Sequence, residues 1–274
     1  MPAREFVECP LCRETPKPFA VDFQGFQLSR CEKCNLEFQH PRPVFEQLTS
    51  FVYGTSYHPL SHKSVNRFRG AHYKRQLDRL TEHLPRNNRV LLDVGCGAGA
   101  FIRFATARGW RVEGTDIRLS ETASQTGVRL WEGQLPAIPF GSVSFDAIRF
   151  NHVLEHTQNP FTELQRARQL IAVDGVLLVG VPNISGLSMQ LKTFQSRLHL
   201  KAKRWKHYGA LHHLWFFTPR TLAKIVTAAG FEVIHCETPV LQRAERPWWM
   251  TSMIRTPLEL LKLGGVIDLY ARAR

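Results

Sequence analysis

The feature that most constrains the fold is a regular alternation of short apolar runs and amphipathic segments, which starts at residue 89 of the 274-residue chain. The apolar runs predict strands at 90–94, 111–116, 128–132, 145–150, 176–181, 231–236 and 266–271. The amphipathic segments predict helices at 100–107, 122–126, 161–171 and 221–229. Because parallel strands need crossover connections, which are usually helical, the alternation predicts an α/β domain with a parallel sheet and helices on both faces.

The composition is that of a globular protein with an excess of positive charge. Apolar residues make up 43% and charged residues 22% of the chain, which excludes a mainly disordered protein. The formal charge of +13 favours anionic partners such as phosphates, nucleic acid or anionic lipids. No run of apolar residues is long enough to span a membrane, and the first residues do not resemble a secretory signal. A cytoplasmic location is therefore expected.

Four of the six cysteines form two C-x-x-C pairs within the first 34 residues. The pairs are Cys9 with Cys12 and Cys31 with Cys34, and this spacing is typical of a tetrahedral zinc site. Four thiolates leave no position open for a substrate, so the zinc is expected to be structural and residues 1–45 to form a small zinc ribbon. Two incidental pairs of buried cysteines, or a redox-active pair, fit the spacing less well.

A glycine-rich loop joins the first strand of the alternating region to its first helix. Gly95, Gly97 and Gly99 let the backbone turn sharply and let a ligand approach closely. With Asp116 at the end of the next strand, the loop also satisfies a dinucleotide-binding pattern. Asp93, just before the turn, would repel a pyrophosphate but suits a cationic ligand. We therefore expect S-adenosylmethionine, with Asp116 on its ribose, rather than a nicotinamide cofactor.

Several segments resemble, in order, the motifs of the class I S-adenosylmethionine-dependent methyltransferases. The matching segments read LLDVGCGAG at 91–99, EGTD at 113–116, IPFGSVSFD at 138–146, NHVLEH at 151–156, TP at 218–219 and AGF at 229–231. The cysteine pairs, followed by Phe38 and by PRP at 41–43, resemble the zinc ribbon of many bacterial members. The resemblance implies a Rossmann-like domain at 89–274 with a mostly parallel, seven-stranded sheet, and a methyltransferase activity.

The resemblance also implies which residues contact the cofactor. Residues 133–135 are expected to flank the adenine and Asn151 to lie near the methionine moiety. Asp93 is expected to organise the loop and bind the methionine end, and Cys96 to fill space in the loop rather than act as a nucleophile. The complete expected set is Asp93, Gly95, Cys96, Gly97, Gly99, Asp116, Ile117, Gly133, Gln134, Leu135 and Asn151.

Three residues after the fourth strand are the catalytic candidates. His152, Glu155 and His156 stand on the side of the sheet where class I substrates bind, and a histidine there could contact the substrate or act as general base. The alternative is that Glu155 and His156 only support the fold. His212 and His213 could reach the same pocket, or the aromatic run after them could simply cover the sheet.

The remaining segments bear on which molecule accepts the methyl group. Residues 46–88 predict a helical connector, and residues 183–215 a basic lid with six Lys or Arg and no acidic residue. An apolar segment near Trp248 and at 254–263 could pack on the domain or touch a membrane. The expected acceptor is an anionic small molecule, glycan or lipid-linked compound. The alternatives are an RNA base methyltransferase and, less favoured, an NAD-dependent oxidoreductase.

Overall fold

A computed structural model describes residues 3–45, 47, 67–85, 89–240 and 255–273. The expectations for the first part of the connector and for Trp248 lie outside the described residues. The helices are α1 (Arg67–His83), α2 (Ala100–Thr106), α3 (Glu121–Ser124), α4 (Pro160–Leu170), α5 (Leu187–Arg197) and α6 (Pro219–Ala228). The strands are β1 (Arg4–Glu5), β2 (Lys17–Val21), β3 (Gln27–Arg30), β4 (Glu37–Gln39), β5 (Arg42–Pro43), β6 (Val90–Val94), β7 (Arg111–Asp116), β8 (Leu130–Glu132), β9 (Phe145–Asn151), β10 (Ile171–Pro182), β11 (Trp215–Phe216), β12 (Phe231–Glu237) and β13 (Val266–Ala273).

Seven strands form the main sheet, in the order β12-β13-β10-β9-β6-β7-β8. The β6, β7, β8, β9 and β10 strands pair in parallel, whereas β13 runs antiparallel to both of its neighbours. This confirms the predicted mostly parallel, seven-stranded α/β sheet. In this sheet β7 lies on one side of β6 and β9 lies on the other, so the chain changes sides of β6 between β8 and β9. A crevice therefore opens at the carboxyl ends of β6 and β9. Open α/β sheets bind their ligands at such a point.

Helices cover both faces of the sheet, as the alternation predicted. On one face, α1 and α2 bury Tyr73, Leu80 and Phe101 in one cluster. On the other, α4 and α6 bury Leu164 and Ile225 in a second cluster. Because β10 is covered on both faces, its central residues form a continuous apolar run rather than an alternating one.

Several element boundaries differ from the predicted ones for local reasons. The predicted helix at 122–126 is the shorter α3, which begins at Glu121 because the Ser120 hydroxyl accepts from the Ala123 N–H. The predicted helix at 161–171 is α4, which begins one residue earlier behind the Asn159 cap. Residue 171 belongs to β10 rather than to the helix. The strand predicted at 128–132 is reduced to three residues in β8.

A second sheet crosses the predicted boundary between the ribbon and the remaining chain. Its order is β11-β4-β3-β2, so a strand from the predicted lid completes a sheet of the N-terminal segment. Trp215 pairs with Phe38 and Phe216 with Glu37. The Tyr208 hydroxyl donates to Glu37 Oε2 over 2.8 Å, and the Gln39 amide donates to the His213 carbonyl over 2.8 Å. The cysteine segment therefore holds the loop that carries His213.

Candidate active site

An open cavity lies at the carboxyl ends of the central strands; its empty space is about 770 Å³ when the open solvent at its mouth is included. Its walls come from the loops after β6, β7, β8 and β9, as the reversal of strand order requires. Nine of the predicted site residues line it: Gly95, Gly97, Asp116, Ile117, Gly133, Gln134, Leu135, His152 and His156. The mixed polar and apolar walls are typical of a small-molecule or cofactor site.

The glycine loop is shaped by backbone geometry that other residues cannot adopt easily. Gly95 has a φ of +70°, and a Cβ placed there would lie 2.2 Å from Val153 Cγ2. Gly97 has a φ of +55°, but nothing lies within 4 Å of where its Cβ would be. Gly95 is thus required both by its conformation and by packing against the wall, whereas Gly97 leaves its backbone open for a ligand to approach.

Asp116 ends β7 and connects the loop to the cavity. Its Oδ2 accepts a hydrogen bond from the Gly97 N–H over 2.8 Å, and its Oδ1 accepts from the Arg118 N–H over 3.4 Å. The residue is 9% exposed and lines the cavity. The carboxylate therefore orders the loop and also presents a negative charge to a bound molecule.

The histidine-rich turn after β9 forms the opposite wall. Glu155 is 1% exposed, and its Oε1 lies 3.3 Å from His152 Nδ1 and 3.9 Å from His156 Nε2. Burial disfavours protonated His152, but the hydrogen bond and charge of Glu155 outweigh it and raise the pKa of His152. Burial also opposes ionisation of Glu155, yet its histidine partners hold the pKa of Glu155 below its usual range. The turn thus places a paired carboxylate beside the cavity.

Comparison with known proteins identifies the family of the chain. Residues 65–236, well over half of the chain, match the model of a family described as a methyltransferase domain. The chain belongs to this methyltransferase family. It is a class I S-adenosylmethionine-dependent methyltransferase, and the dinucleotide alternative is set aside.

Two relatives of this methyltransferase have named activities. A ubiquinone biosynthesis O-methyltransferase of Dinoroseobacter shibae is 24% identical over 172 residues, covering 59% of this chain and 67% of the relative. A tRNA U34 carboxymethyltransferase of Shewanella amazonensis is 26% identical over 193 residues, covering 65% of this chain and 56% of the relative. The methyltransferase therefore matches little more than half of the length of the second relative.

The fold also matches a solved structure that holds a cofactor product. This is the 1,6-didemethyltoxoflavin-N1-methyltransferase of Burkholderia thailandensis, crystallised with S-adenosylhomocysteine. The TM-score is 0.56 at 19% identity, and the match covers 94% of this chain and 99% of that one. At this identity the match establishes the fold of the methyltransferase, not its substrate.

Five predicted site residues do not line the cavity of the methyltransferase: Asp93, Cys96, Gly99, Asn151 and Glu155. Asp93 is buried, and its Oδ1 accepts from Arg149 Nη1 over 2.6 Å. Asn151 Oδ1 accepts from the Gln76 amide over 3.0 Å. Both side chains are therefore held by partners within the protein, Asp93 by Arg149 of β9 and Asn151 by Gln76 of α1.

Cys96 is buried in the glycine loop, as its expected space-filling role requires. Its side chain is 7% exposed, and burial raises the pKa of its thiol. A neutral buried thiol is a poor nucleophile. A Cβ at Gly114 would lie 3.1 Å from Cys96 Sγ, which shows how tightly the loop packs against β7.

Sequence reasoning missed the buried polar network beneath the site. Arg149 donates to Asp93 and, through Nε, to the Gln76 Oε1 over 3.0 Å. Gln76 in turn donates to Asp268, which also lies 2.7 Å from His72 Nε2. These residues come from β6, β9, β13 and α1, and no local motif links them. Their one signal in the sequence is a charged residue inside an otherwise apolar strand, such as Arg149 in β9.

Glu163 and Phe45 are further lining residues that the motifs did not indicate. Glu163 lies in α4 and is 5% exposed, and burial raises its pKa to about 7. Phe45 comes from the end of the cysteine segment, so this segment contributes directly to the wall. The cavity therefore has an acidic group poised near neutral pH and an aromatic side chain from outside the predicted methyltransferase domain.

The four predicted metal ligands come together in the structure. The sulfur atoms of Cys9, Cys12, Cys31 and Cys34 lie within 4.8 Å of one another, and Cys9 Sγ lies 3.5 Å from Cys34 Sγ. The edge of a tetrahedron with zinc–sulfur bonds of about 2.3 Å is about 3.8 Å, so the cluster fits one zinc ion. His40 follows the cysteine pairs in the sequence but does not belong to this group, and its Nδ1 lies 2.8 Å from the Val7 carbonyl oxygen.

Proposed function

We propose that this methyltransferase transfers a methyl group from S-adenosylmethionine to an anionic small-molecule, glycan or lipid-linked acceptor. The observation that carries the proposal is one continuous cavity, with the Asp116 and glycine-loop wall on one side and the histidine turn on the other. One wall suits the cofactor, and the other is free to receive an acceptor. The cofactor supplies an electrophilic methyl group on a sulfonium, and the protein has to align the acceptor with it.

In this proposal the Asp116 and glycine-loop side of the cavity is the cofactor wall, and its residues have separate roles. Asp116 accepts from the ribose hydroxyls, while the open backbone of Gly97 allows the cofactor to approach. Residues 133–135 flank the adenine, because they follow β8 on the same side of the cavity as Asp116. Asp93 acts indirectly: its ion pair with Arg149 fixes the strand end from which the loop departs.

The surface around the predicted lid supports an anionic, lipid-linked acceptor. Along α5 and its end, Leu187, Leu191, Phe194 and Leu198 follow helical spacing and are each at least 50% exposed. Lys192 lies on the same helix, Lys201 and Lys203 follow its end in the sequence, and residues 183–215 contain no acidic residue. An apolar stripe edged by positive charge is typical of helices that lie on an anionic lipid surface. No helix in the described ranges is long and apolar enough to cross a membrane.

RNA is the second candidate acceptor. The net charge of +13 and the similarity to a tRNA-modifying relative favour it. Against it, the first 40 residues are nearly balanced in charge, with five Lys or Arg and six acidic residues. Binding to RNA whose affinity falls steeply with salt would favour this candidate over the lipid-linked one.

We also propose that the cysteine cluster holds a structural zinc ion. Support comes from the four converging sulfur atoms and from the burial of three of the four cysteines. With four thiolates, the ion supplies folding free energy rather than a reactive position.

Calorimetric titration with S-adenosylhomocysteine, with NADH as the control ligand, tests the cofactor wall. Binding of S-adenosylhomocysteine without binding of NADH is expected. Transfer of a labelled methyl group to lipid extracts, compared with transfer to total RNA, then tests the acceptor. Labelling of RNA alone would overturn the lipid-linked acceptor.

A further inference from the structure

One acidic side chain of the cavity wall is buried without a partner. Glu163 lines the cavity and is 5% exposed. Its backbone N–H donates to the Asn159 carbonyl, but its carboxyl group has no hydrogen bond or ion pair among the described residues. Burying a carboxyl group without such a partner costs free energy. An apolar side chain would suit the protein alone better, so the carboxyl group indicates that a ligand in the cavity pairs with it.

The surroundings of Glu163 leave its carboxyl group partly protonated. Leu164 and Ala167 on the same helix are fully buried, and burial raises the pKa of Glu163 to about 7. No charged neighbour contributes to this rise. The ionisable residues on the cavity walls and on the elements packed against α4 are Asp116, His152, Glu155, His156, Asp174, Arg220 and Lys224. A protonated carboxyl group has an O–H donor and an oxygen acceptor side by side.

The packing of α4 places Glu163 next to the segment that is expected to flank the adenine. This helix packs against the short turn Leu135–Ala137, which follows β8. Arg166 Nη2 donates to the Ile138 carbonyl over 3.0 Å and ties the helix to that segment. Glu163 precedes Arg166 by three residues, so the two side chains lie on the same side of the helix. Glu163 therefore lines the cavity at the end formed by residues 133–135.

We propose that the carboxyl group of Glu163 recognises the adenine of the cofactor by pairing with its 6-amino group and the adjacent ring nitrogen. The amino group donates and the ring nitrogen accepts, so a carboxyl group that carries a proton matches both. The amides of Asn and Gln bind adenine through the same combination of donor and acceptor. The inference rests on the proposed function, which places S-adenosylmethionine in this cavity, and adds a contact from α4 to it.

The proposed acceptor fits this carboxyl group less well than adenine does. An anionic acceptor would be repelled by the ionised carboxylate. Adenine is neutral and offers both a donor and an acceptor. Its ring nitrogen accepts from the protonated carboxyl group, so bound cofactor should hold the proton on Glu163.

Calorimetric titration with S-adenosylhomocysteine at pH 6, where Glu163 is mostly protonated, tests the pairing. Glu163→Leu is expected to weaken binding by about tenfold or more, because both hydrogen bonds are lost and two polar atoms of adenine stay unpaired. Glu163→Gln should stay within about threefold of the wild type, because the amide keeps a donor beside an acceptor.

Gln165→Leu is the matched control, since this residue is exposed on the same helix. It should bind S-adenosylhomocysteine as the wild type does. Thermal unfolding checks that all three variants are folded, and leucine suits the buried position 163.

An analogue of S-adenosylhomocysteine with hydrogen in place of the 6-amino group tests which part of the cofactor Glu163 contacts. The wild type should prefer S-adenosylhomocysteine to the analogue, and Glu163→Leu should reduce this preference by about fivefold or more. An equal preference in both proteins would contradict a contact with the amino group.

The pH dependence of binding separates this role from a structural one. A carboxyl group with a pKa of about 7 is mostly ionised at pH 8 and has to gain a proton before it can pair. Wild-type affinity should therefore fall by up to about tenfold from pH 6 to pH 8 relative to Glu163→Gln. The other ionisable residues of the cavity are the same in both proteins. An identical pH dependence in the two would count against the pairing.

The outcomes for the inference and for the proposed function differ. If the wild type binds S-adenosylhomocysteine and folded Glu163→Leu binds it equally well, the role of Glu163 is overturned and the proposed function stands. If the wild type does not bind S-adenosylhomocysteine, the proposed function fails and this inference fails with it.

Discussion

Asp116, at the end of β7, has two roles. Its carboxylate orders the glycine loop through the Gly97 N–H and faces the cavity. We expect Asp116→Ala to weaken S-adenosylhomocysteine binding by at least about tenfold, because charge-assisted bonds to two hydroxyls contribute roughly 1.5–3 kcal/mol each. Calorimetric titration measures the change.

The control for this variant is Glu113→Gln on the same strand, where the carboxylate accepts from the Trp131 indole rather than facing the cavity. It should bind S-adenosylhomocysteine as the wild type does. Thermal unfolding of both variants checks that the fold is retained. Unchanged affinity in a folded Asp116→Ala protein would contradict the ribose assignment.

Glu163 is expected to make stability depend on pH. Burial raises its pKa to about 7, above its ordinary value of 4.5, so the folded state holds this proton more tightly than the unfolded state does. Stability should therefore fall as the pH rises from about 4.5 to about 7. Glu163→Gln should remove this dependence of stability on pH. At neutral pH its free energy of unfolding should exceed that of the wild type by up to about 3 kcal/mol.

Denaturant unfolding at pH 4.5 and at pH 7.5 measures the effect of Glu163 without bound ligand. Glu121→Gln is the control, since this carboxylate is exposed at the first turn of α3. The wild type is expected to have different free energies of unfolding at the two pH values. If Glu163→Gln shows the same difference, Glu163 is not the group responsible.

At the scale of elements, α5 is the helix whose outer face lacks a partner among the described residues. Leu191 and Phe194 are each 57% exposed, on a helix that carries Lys192 and is followed in the sequence by Lys201 and Lys203. We expect the protein to sediment with anionic phosphatidylglycerol vesicles, and the double variant Leu191→Gln, Phe194→Gln to weaken that binding by about tenfold or more. The physical reason is that the variant removes apolar area from the lipid interface.

Val173→Gln is the matched control for the vesicle experiment. Val173 is 89% exposed but lies in β10, away from α5. Its replacement should leave sedimentation unchanged. Equal loss of binding in both proteins, or no binding by the wild type, would contradict a lipid-facing role for α5.

At the scale of the whole molecule, the cysteine segment and the acceptor side of the cavity form one structure. The β4 and β11 strands pair, and Cys9, Phe38 and Trp215 share a core with the main sheet. We expect Cys9→Ser to increase hydrogen exchange in residues 3–45 and also in residues 205–217. Binding of S-adenosylhomocysteine should persist, because the glycine loop and Asp116 belong to the main sheet.

Cys236→Ser provides the control, because this cysteine is partly buried but lies outside the cluster. It should change neither exchange nor cofactor binding. Collapse of the entire chain in Cys9→Ser would show that the ribbon and the methyltransferase domain do not fold as separate units, contrary to the proposed division at residues 45 and 88.

The parts of the site that could be predicted from sequence are those built from local backbone geometry. Gly95, Gly97 and Asp116 are set by one strand–turn–helix unit and one adjacent strand end, so their spacing determines their positions. The residues after β8 and β9 were instead expected from the resemblance to class I methyltransferases. Asp93 and Asn151 differ because the direction of a buried polar side chain depends on the nearest partner, and Arg149 and Gln76 come from elsewhere in the chain.

The sequence by itself determined the α/β class, the cysteine cluster and the loop at the carboxyl end of the first strand of the main sheet. Each depends on periodicity or on ligands close together in the chain. Only the tertiary structure decided that β11 joins the cysteine segment, that Glu163 and Phe45 line the cavity, and that His213 meets Glu155 and His156. Those contacts join residues far apart in sequence, and no local pattern encodes which distant surfaces pack together.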